Sequence, residues 1–293
     1  MTMPSLPVID THVHLWDPTR ISYAWQQGNA VLNRGYHVED YVNASQGIET
    51  EAIVFVECHI DDEPGVGQYI KEIEFVEEQA KRDPRIRAIV AKAPIERGAQ
   101  VAPILEEMVA RFSRLRGIRR IPEFEPDPRG FMLNPQFIEG VRLLRDFGLH
   151  FELNVNYTQM DAALEFVDLV PDVPIILDHC GKPGIRGGHI DVFRRHMVAM
   201  AARPNIVCKL SDLPVEANWF HWTEADLRPF IHATIEIFGI KRVIYGGDWP
   251  VCLQATTLRR WVDVLDAALS GLSANELRMF YRDNANDFYR LRI

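Results

Sequence analysis

Only four of the 293 residues are cysteine, Cys58, Cys180, Cys208 and Cys252, and no two form a CxxC pair. A disulfide framework or a thiolate metal cluster is therefore not expected, and each cysteine, at or just past the end of an apolar run, reads as a small buried hydrophobe. Runs of one charge are scarce too: no basic run exceeds Arg119-Arg120 or Arg194-Arg195, and the formal charge is −9. That balance excludes a nucleic-acid or anionic-membrane surface as a partner. No apolar stretch approaches the roughly 20 residues that span a bilayer, and no basic start leads into an apolar secretory core. A cytoplasmic location is expected. Repeats, low-complexity tracts and domain boundaries are absent as well, so 1–293 reads as one unit, and its 47% hydrophobic content suffices for one large core.

What is present is a rhythm. Apolar, strand-like runs recur at 8–15, 51–58, 86–93, 115–121, 150–155, 174–178, 206–210 and 242–245. Between most of them lie segments of helical periodicity, at 68–82, 101–114, 135–147, 160–170, 192–202 and 227–238. Strand and helix alternating at about thirty-residue intervals imply right-handed βαβ units and a parallel sheet, and eight such units close a (β/α)8 barrel. Two further helices, 256–269 and 273–291, complete the outer layer, the second opened by the capping box Ser273-Ala-Asn-Glu276. The connection 18–35 is long for a βα loop and carries Tyr23 and Trp25, with Tyr36 just beyond, so it reads as an aromatic wall or lid over the barrel mouth.

The chemistry begins at Asp10-Thr-His12-Val-His14, answered about 235 residues later by Tyr245-Gly-Gly-Asp248-Trp-Pro250. Alternate residues of a strand share one face, so His12 and His14 project together. A first-strand histidine pair and a last-strand aspartate meet at one mouth in a closed barrel. One histidine on an apolar strand is ordinarily a hydrogen-bonded core residue; two beside Asp10 point to a site. Asp248 could instead cap a helix, but Gly246-Gly247 before it allow close backbone approach to a ligand. The other strand ends offer Glu57, Lys92, Arg119 or Arg120, Glu152, Asn154, Asp178, His179, Lys209 and Ser211. Polar groups at nearly every strand end are costly to bury without a task.

Only one of two adjacent arginines can face inward, and Arg119 shares the parity of Gly117. Glu57 and Glu152 read either as substrate contacts or as ion-pair partners of such an arginine, with Asn154 and Lys209 as further contacts. Trp16, Trp25 and Trp249 could floor a sugar ring or pack under loops. Gly184-Ile-Arg186-Gly-Gly-His189 lacks both the Walker and the GxGxxG spacing, so it reads as a βα loop carrying Arg186 to substrate.

Val8-Ile-Asp-Thr-His-Val-His-Leu-Trp-Asp-Pro18, Asp178-His-Cys-Gly-Lys-Pro183, Lys209-Leu-Ser211, Gly246-Gly-Asp-Trp-Pro-Val251 and Asn284-Ala-Asn-Asp-Phe-Tyr-Arg-Leu291 together resemble the amidohydrolase superfamily. The likeness runs nearly end to end and is strongest to its branch of sugar-acid and dicarboxylate lactonases, of L-fuconolactonase, L-rhamnonolactonase and 2-pyrone-4,6-dicarboxylate lactonase type. The resemblance implies a hydrolase that opens a cyclic ester, with His12, His14, His179 and Asp248 in the site. Members with two metals add a histidine after strand five, where this chain has Glu152 or Asn154, so a binuclear centre is not expected. What remains is one divalent ion, Zn2+ or Mn2+, on His12, His14 and Asp248, or a metal-free site. The chain also departs from the common Lys-Leu-Ser-Gly by having Asp212 after Ser211.

The reaction expected is water attack on a lactone, most readily an aldonolactone, with Asp248 as base and then acid and with Arg119 or His179 stabilising the oxyanion. Two rivals stand beside it: a zinc-dependent decarboxylase of the same superfamily, and a barrel that binds lactones without opening them. The expected partner is a small-molecule lactone, and a homo-oligomer is left open.

Overall fold

The computed structural model describes residues 6–61 and 67–293. Eight strands, β1 (Val8–Val13), β2 (Thr50–Val56), β3 (Ile86–Ala91), β4 (Leu115–Arg119), β5 (His150–Leu153), β6 (Ile175–Leu177), β7 (Ile206–Leu210) and β8 (Val243–Tyr245), pair in sequence order and in parallel. Helices fill the intervals, among them Gly67–Arg82, Ala102–Arg111, Pro135–Leu143, Met160–Leu169, Ile190–Ala201, Glu224–Phe238 and Leu258–Ala268. The result is a single (β/α)8 barrel. Among the described residues no helix is long and apolar enough to cross a membrane.

Two apolar regions form. Outward residues of the strands pack under the helices, while Ile9, Ala52, Val54, Val56, Ala88, Val90, Ile176 and Ile244 fill the barrel interior. The interior layer is closed from below by Ala285 and Tyr289 of the last helix, Asn284–Tyr289. Arg119 faces the interior; Arg120 points to the helical layer, where it pairs with Glu96 and Glu125 and stacks on Phe131.

The seam between β8 and β1 is built differently from the other joints. His14 N donates to Trp249 O (2.8 Å), the only part of a regular ladder described there, and side chains do the rest. Thr11 Oγ1 donates to Tyr245 O (2.5 Å), Asp10 Oδ1 accepts from Gly247 N (2.7 Å), and Trp261 Nε1 donates to Gly246 O (3.0 Å). Strict alternation would put Asp10 on the face of His12. A register shift between Asp10 and Val13 breaks it, so Ile9 and His12 both turn inward and Asp10 turns toward Tyr41 of the helix Val38–Ala44.

Segment 18–35 is tied down at several points. Trp16 and Tyr36 exchange backbone hydrogen bonds across its neck (3.0 and 2.8 Å), Ala24 N donates to Asp61 (2.9 Å), and Asn29 Nδ2 donates to Gln254 (2.8 Å). All four cysteines are buried as free thiols.

Candidate active site

His14, near the barrel mouth, fixes its own tautomer. Its Nδ1 lies 2.8 Å from Val56 O, a carbonyl that can only accept, so the proton sits on Nδ1 and the Nε2 lone pair is aimed at Asp248 Oδ1, 3.2 Å away. An imidazole lone pair facing a carboxylate oxygen at that distance calls for a proton or a cation between them. His12 sits one pleat deeper and is fully buried. Arg119 Nη1 lies 3.2 Å from its Nε2, and Lys209 Nζ lies 3.1 Å from its Nδ1. Burial first, then Lys209, lowers its pKa well below the ordinary value, so the ring is neutral and can accept at only one nitrogen.

Asp248 is held by a backbone that needs its two glycines. A Cβ on Gly247 would stand 2.4 Å from Asp10 Oδ2, and one on Gly246 would stand 3.0 Å from the His12 Cβ. Asp248 itself adopts φ 51°, and its carboxylate is 3.4 Å from His12 Nε2 as well as 3.2 Å from His14. Burial raises its pKa, but His179 and His14 outweigh that and bring it down to about 2. Asp248 is therefore an ionised acceptor across the physiological range.

Under these groups runs a dry ionic layer. Arg119 Nε donates to Glu57 Oε1 (2.7 Å), its Nη2 to Glu57 O (2.6 Å), and its Nη1 to Asp178 Oδ2 (3.3 Å). Lys209 Nζ donates to Glu152 Oε2 (2.7 Å) and lies 3.0 Å from Asp178 Oδ1. Glu152 in turn accepts from Tyr289 Oη (2.6 Å) and lies 3.2 Å from His150 Nε2. Burial pushes Asp178 up to about 7, whereas at Glu152 the Lys209 ammonium overcomes burial and holds the carboxyl down.

Four residues expected as substrate contacts thus fall elsewhere. Glu57, Glu152 and Lys209 are buried ion-pair partners beneath the pocket, and Trp249 is buried edge-on between Tyr36 and Tyr41, at ring distances of 5.2 and 5.5 Å. Lys92 is buried and donates to Ile60 O (2.8 Å), and Arg186 donates to Ala217 O (3.3 Å) rather than entering the pocket.

The pocket above this layer encloses about 110 Å3 and is lined by His14, Arg119, Asn154, His179 and Asp248 together with Trp25. Trp25 is anchored by Nε1 to Cys58 O (2.9 Å). Seven lining residues were not singled out as site residues by sequence reasoning: Cys58, His59, Ile121, Phe124, Lys182, Asp212 and Val251. For Lys182 and Val251 a signal existed, since both lie in the motifs that carry the resemblance, and Asp212 stood out as the departure that follows Ser211; His59 and Phe124 carried none. Lys182 is neutralised by Glu123 (2.8 Å) and Glu216 (3.7 Å). His179 has its Nδ1 2.9 Å from Ser211 Oγ, and burial lowers its pKa to about 3, leaving a neutral ring. Burial and the neighbouring Asp248 push the Asp212 carboxyl well above the usual range.

Among the described residues three sets of side chains bring nitrogen and oxygen donors within 4.8 Å of one another: His12, His14 and Asp248; His179, Asp212 and Asp248; and His12, Asp178 and His179, the last reaching into the ionic layer, where Asp178 is already paired with Arg119 and Lys209. Imidazoles with buried carboxylates suit a divalent transition ion. His12 is the misfit in the first set. The nitrogen that would bind the ion already faces the Arg119 guanidinium at 3.2 Å, and a dication there would sit against a cation.

A parallel barrel with buried histidines and an ionised aspartate at the C-terminal ends of its first and last strands is the architecture of a barrel hydrolase. The chain belongs to the amidohydrolase family, whose sequence profile matches residues 9–291. It is 30% identical to an L-fucono-1,5-lactonase of Burkholderia multivorans over 97% of this chain and 96% of that one. It is 22% identical to an L-rhamnono-gamma-lactonase of Scheffersomyces stipitis over 99% of this chain and the whole of the other. A solved amidohydrolase structure from Burkholderia multivorans with bound zinc superposes with a TM-score of 0.84 at 28% identity, covering 97% of this chain and 99% of that one.

Proposed function

We propose that this enzyme hydrolyses a neutral sugar-acid (aldono) lactone. The observation that carries the reading is the charge state of the pocket: both cations that line it, Arg119 and Lys182, are already ion-paired, while Asp248 presents an ionised carboxylate. A dicarboxylate lactone would meet net negative potential there and would have to break one of those pairs. A neutral polyhydroxylated ring would not. Asn154 and His59 offer hydrogen bonds to hydroxyls, and Trp25, Ile121, Phe124 and Val251 offer an apolar wall for the carbon skeleton. Likeness to an L-fucono-1,5-lactonase and an L-rhamnono-gamma-lactonase supports the same class.

In the reaction Asp248 takes the proton of the attacking water as the water adds to the lactone carbonyl. Arg119 spends Nε, Nη1 and one Nη2 hydrogen on Glu57, His12 and Asp178, which leaves an Nη2 hydrogen for the developing oxyanion. Glu57 and Asp178 hold that guanidinium in place, so no reorganisation accompanies charge development. Asp248 then returns its proton to the ring oxygen as the ester bond breaks. A divalent ion bound by the His and Asp side chains would add Lewis-acid polarisation of the carbonyl and a more acidic water.

A pH-indicator assay of aldono-1,4- and 1,5-lactones beside pyrone dicarboxylate and muconolactone, run with and without chelator, tests the reading. Turnover is expected on aldonolactones and not on the dicarboxylates. Turnover confined to the dicarboxylates, or binding without ring opening across the panel, would overturn it.

A further inference from the structure

We infer that Asp212 is a metal ligand, and that His179, Asp212 and Asp248, without His12, form the cation site of this chain. Their donor atoms lie within 4.8 Å of one another, and all three side chains line the pocket. Asp212 is 3% exposed, and its buried Oδ1 accepts from no N–H or O–H among the described residues; the carboxyl's one side-chain hydrogen-bonding neighbour is another carboxyl, that of Asp248. An orphaned carboxylate oxygen at such a place requires an occupant. The structural role open to Asp212 is not taken: it precedes the helix Leu213–Glu216, yet its side chain caps no backbone N–H. Nor is it chosen for the backbone alone, since at φ 61° glycine would be the easier residue.

Asp212 instead faces Asp248, a second buried carboxylate lining the same pocket. Like charges so placed are held together by a shared proton or by a cation. His179 completes a cation site, because its Nδ1 is engaged by Ser211 Oγ and Nε2 is left as the ligating atom of a neutral ring. Two carboxylates and one imidazole balance a divalent charge and suit Zn2+ or Mn2+, with the remaining positions open toward the pocket. The site is assigned from donor geometry and does not rest on the lactonase reading.

The test uses the full chain stripped with chelator and titrated calorimetrically with Zn2+ and with Mn2+, with metal content read by mass spectrometry. One ion per chain is expected. Asp212→Asn keeps the shape and tolerates the left-handed backbone, and it should weaken binding at least about 100-fold; His179→Asn should do the same, while His12→Asn should stay within about threefold of the parent. Near-UV circular dichroism of the metal-free variants checks that each is folded. Should the His12 variant not fold, anomalous scattering from a Zn2+-soaked crystal of the parent chain decides, with Asp212 expected at about 2.0–2.2 Å from the ion. No uptake, unchanged affinity in Asp212→Asn, an equal loss in a folded His12→Asn, or an ion seated away from Asp212 each overturns the assignment. Because no lactone is present, failure here is separate from failure of the lactonase reading: activity without metal would leave that reading intact, and metal binding without ring opening would leave this one.

Discussion

At the scale of the residue, parity and depth are separate quantities, and only parity can be read along a strand. His12 and His14 share a face as the i, i+2 spacing requires, yet His12 lies in the ionic layer and His14 at the pocket. Glu152 and Asn154 repeat the pattern on β5, with Asn154 lining the pocket and Glu152 beneath it. Depth is set by how far each strand is staggered along the barrel, which the linear pattern does not carry. The residue on which the proposed chemistry turns is Asp248. Asp248→Asn should leave the circular dichroism spectrum unchanged while kcat falls about 10²- to 10⁴-fold, the usual worth of a positioned base. A folded variant with parental kcat would remove Asp248 from that role. The acid side of the pH profile follows from the same group. Its pKa in the folded chain, about 2, lies below the ordinary 3.8, so the ionised form persists as pH falls through the usual carboxylate range. Its contribution to stability is present above the unfolded value and is lost as pH falls through about 2. Asp248 should therefore give kcat/KM no acid limb between pH 7 and pH 5; the limb expected there is that of Asp178, held at about 7 beside Arg119, and a limb that survives Asp178→Asn would contradict the assignment.

At the scale of the element, the eight strands were legible because parallel strands buried on both sides are short continuous apolar runs, and all eight fall within or beside the runs expected. The helices were legible in place but not in their breaks. The segment 273–291 resolves into Ala274–Arg278, a π-helical turn at Met279–Asp283 and Asn284–Tyr289, while 135–147 ends as a tighter 3-10 turn after Leu143. Hydrophobic periodicity reports the buried face and is nearly blind to a change of hydrogen-bond pitch. The seam between β1 and β8 was also illegible, because it depends on the pairing of Thr11 and Asp10 with backbone groups more than 230 residues away. Thr11→Val tests how much that seam carries. The shape is kept, the Oγ1 donor is lost, and the Tyr245 carbonyl loses that partner, which should lower unfolding stability in urea by about 1–3 kcal/mol. Because the seam sets the approach of Asp248 to His14, kcat should fall with it; a variant of unchanged stability would show that the remaining seam bonds suffice.

For the whole molecule, the barrel interior is stacked by function. Apolar residues and the Tyr289 hydroxyl close the base, the ion pairs of Lys209, Glu152, Asp178, Arg119 and Glu57 fill the middle, and the reactive groups stand above them. A middle layer this dry is poor evidence for stability, since desolvating charges costs about what their pairing returns. It does give Arg119 one geometry, because its guanidinium is gripped from two sides by Glu57 and Asp178. Base and mouth should then respond differently to substitution. Tyr289→Phe removes a donor from a fully buried carboxylate, with an expected loss of about 1–3 kcal/mol in unfolding stability. Lys209 still pairs with Glu152 on the side facing the site, so kcat/KM on a turned-over lactone should stay within about threefold of the parent, as remote substitutions that spare the reacting groups do. If kcat/KM instead fell in step with stability, the ionic layer would be transmitting strain from the base of the barrel to the pocket, and the separation of support from chemistry drawn here would fail.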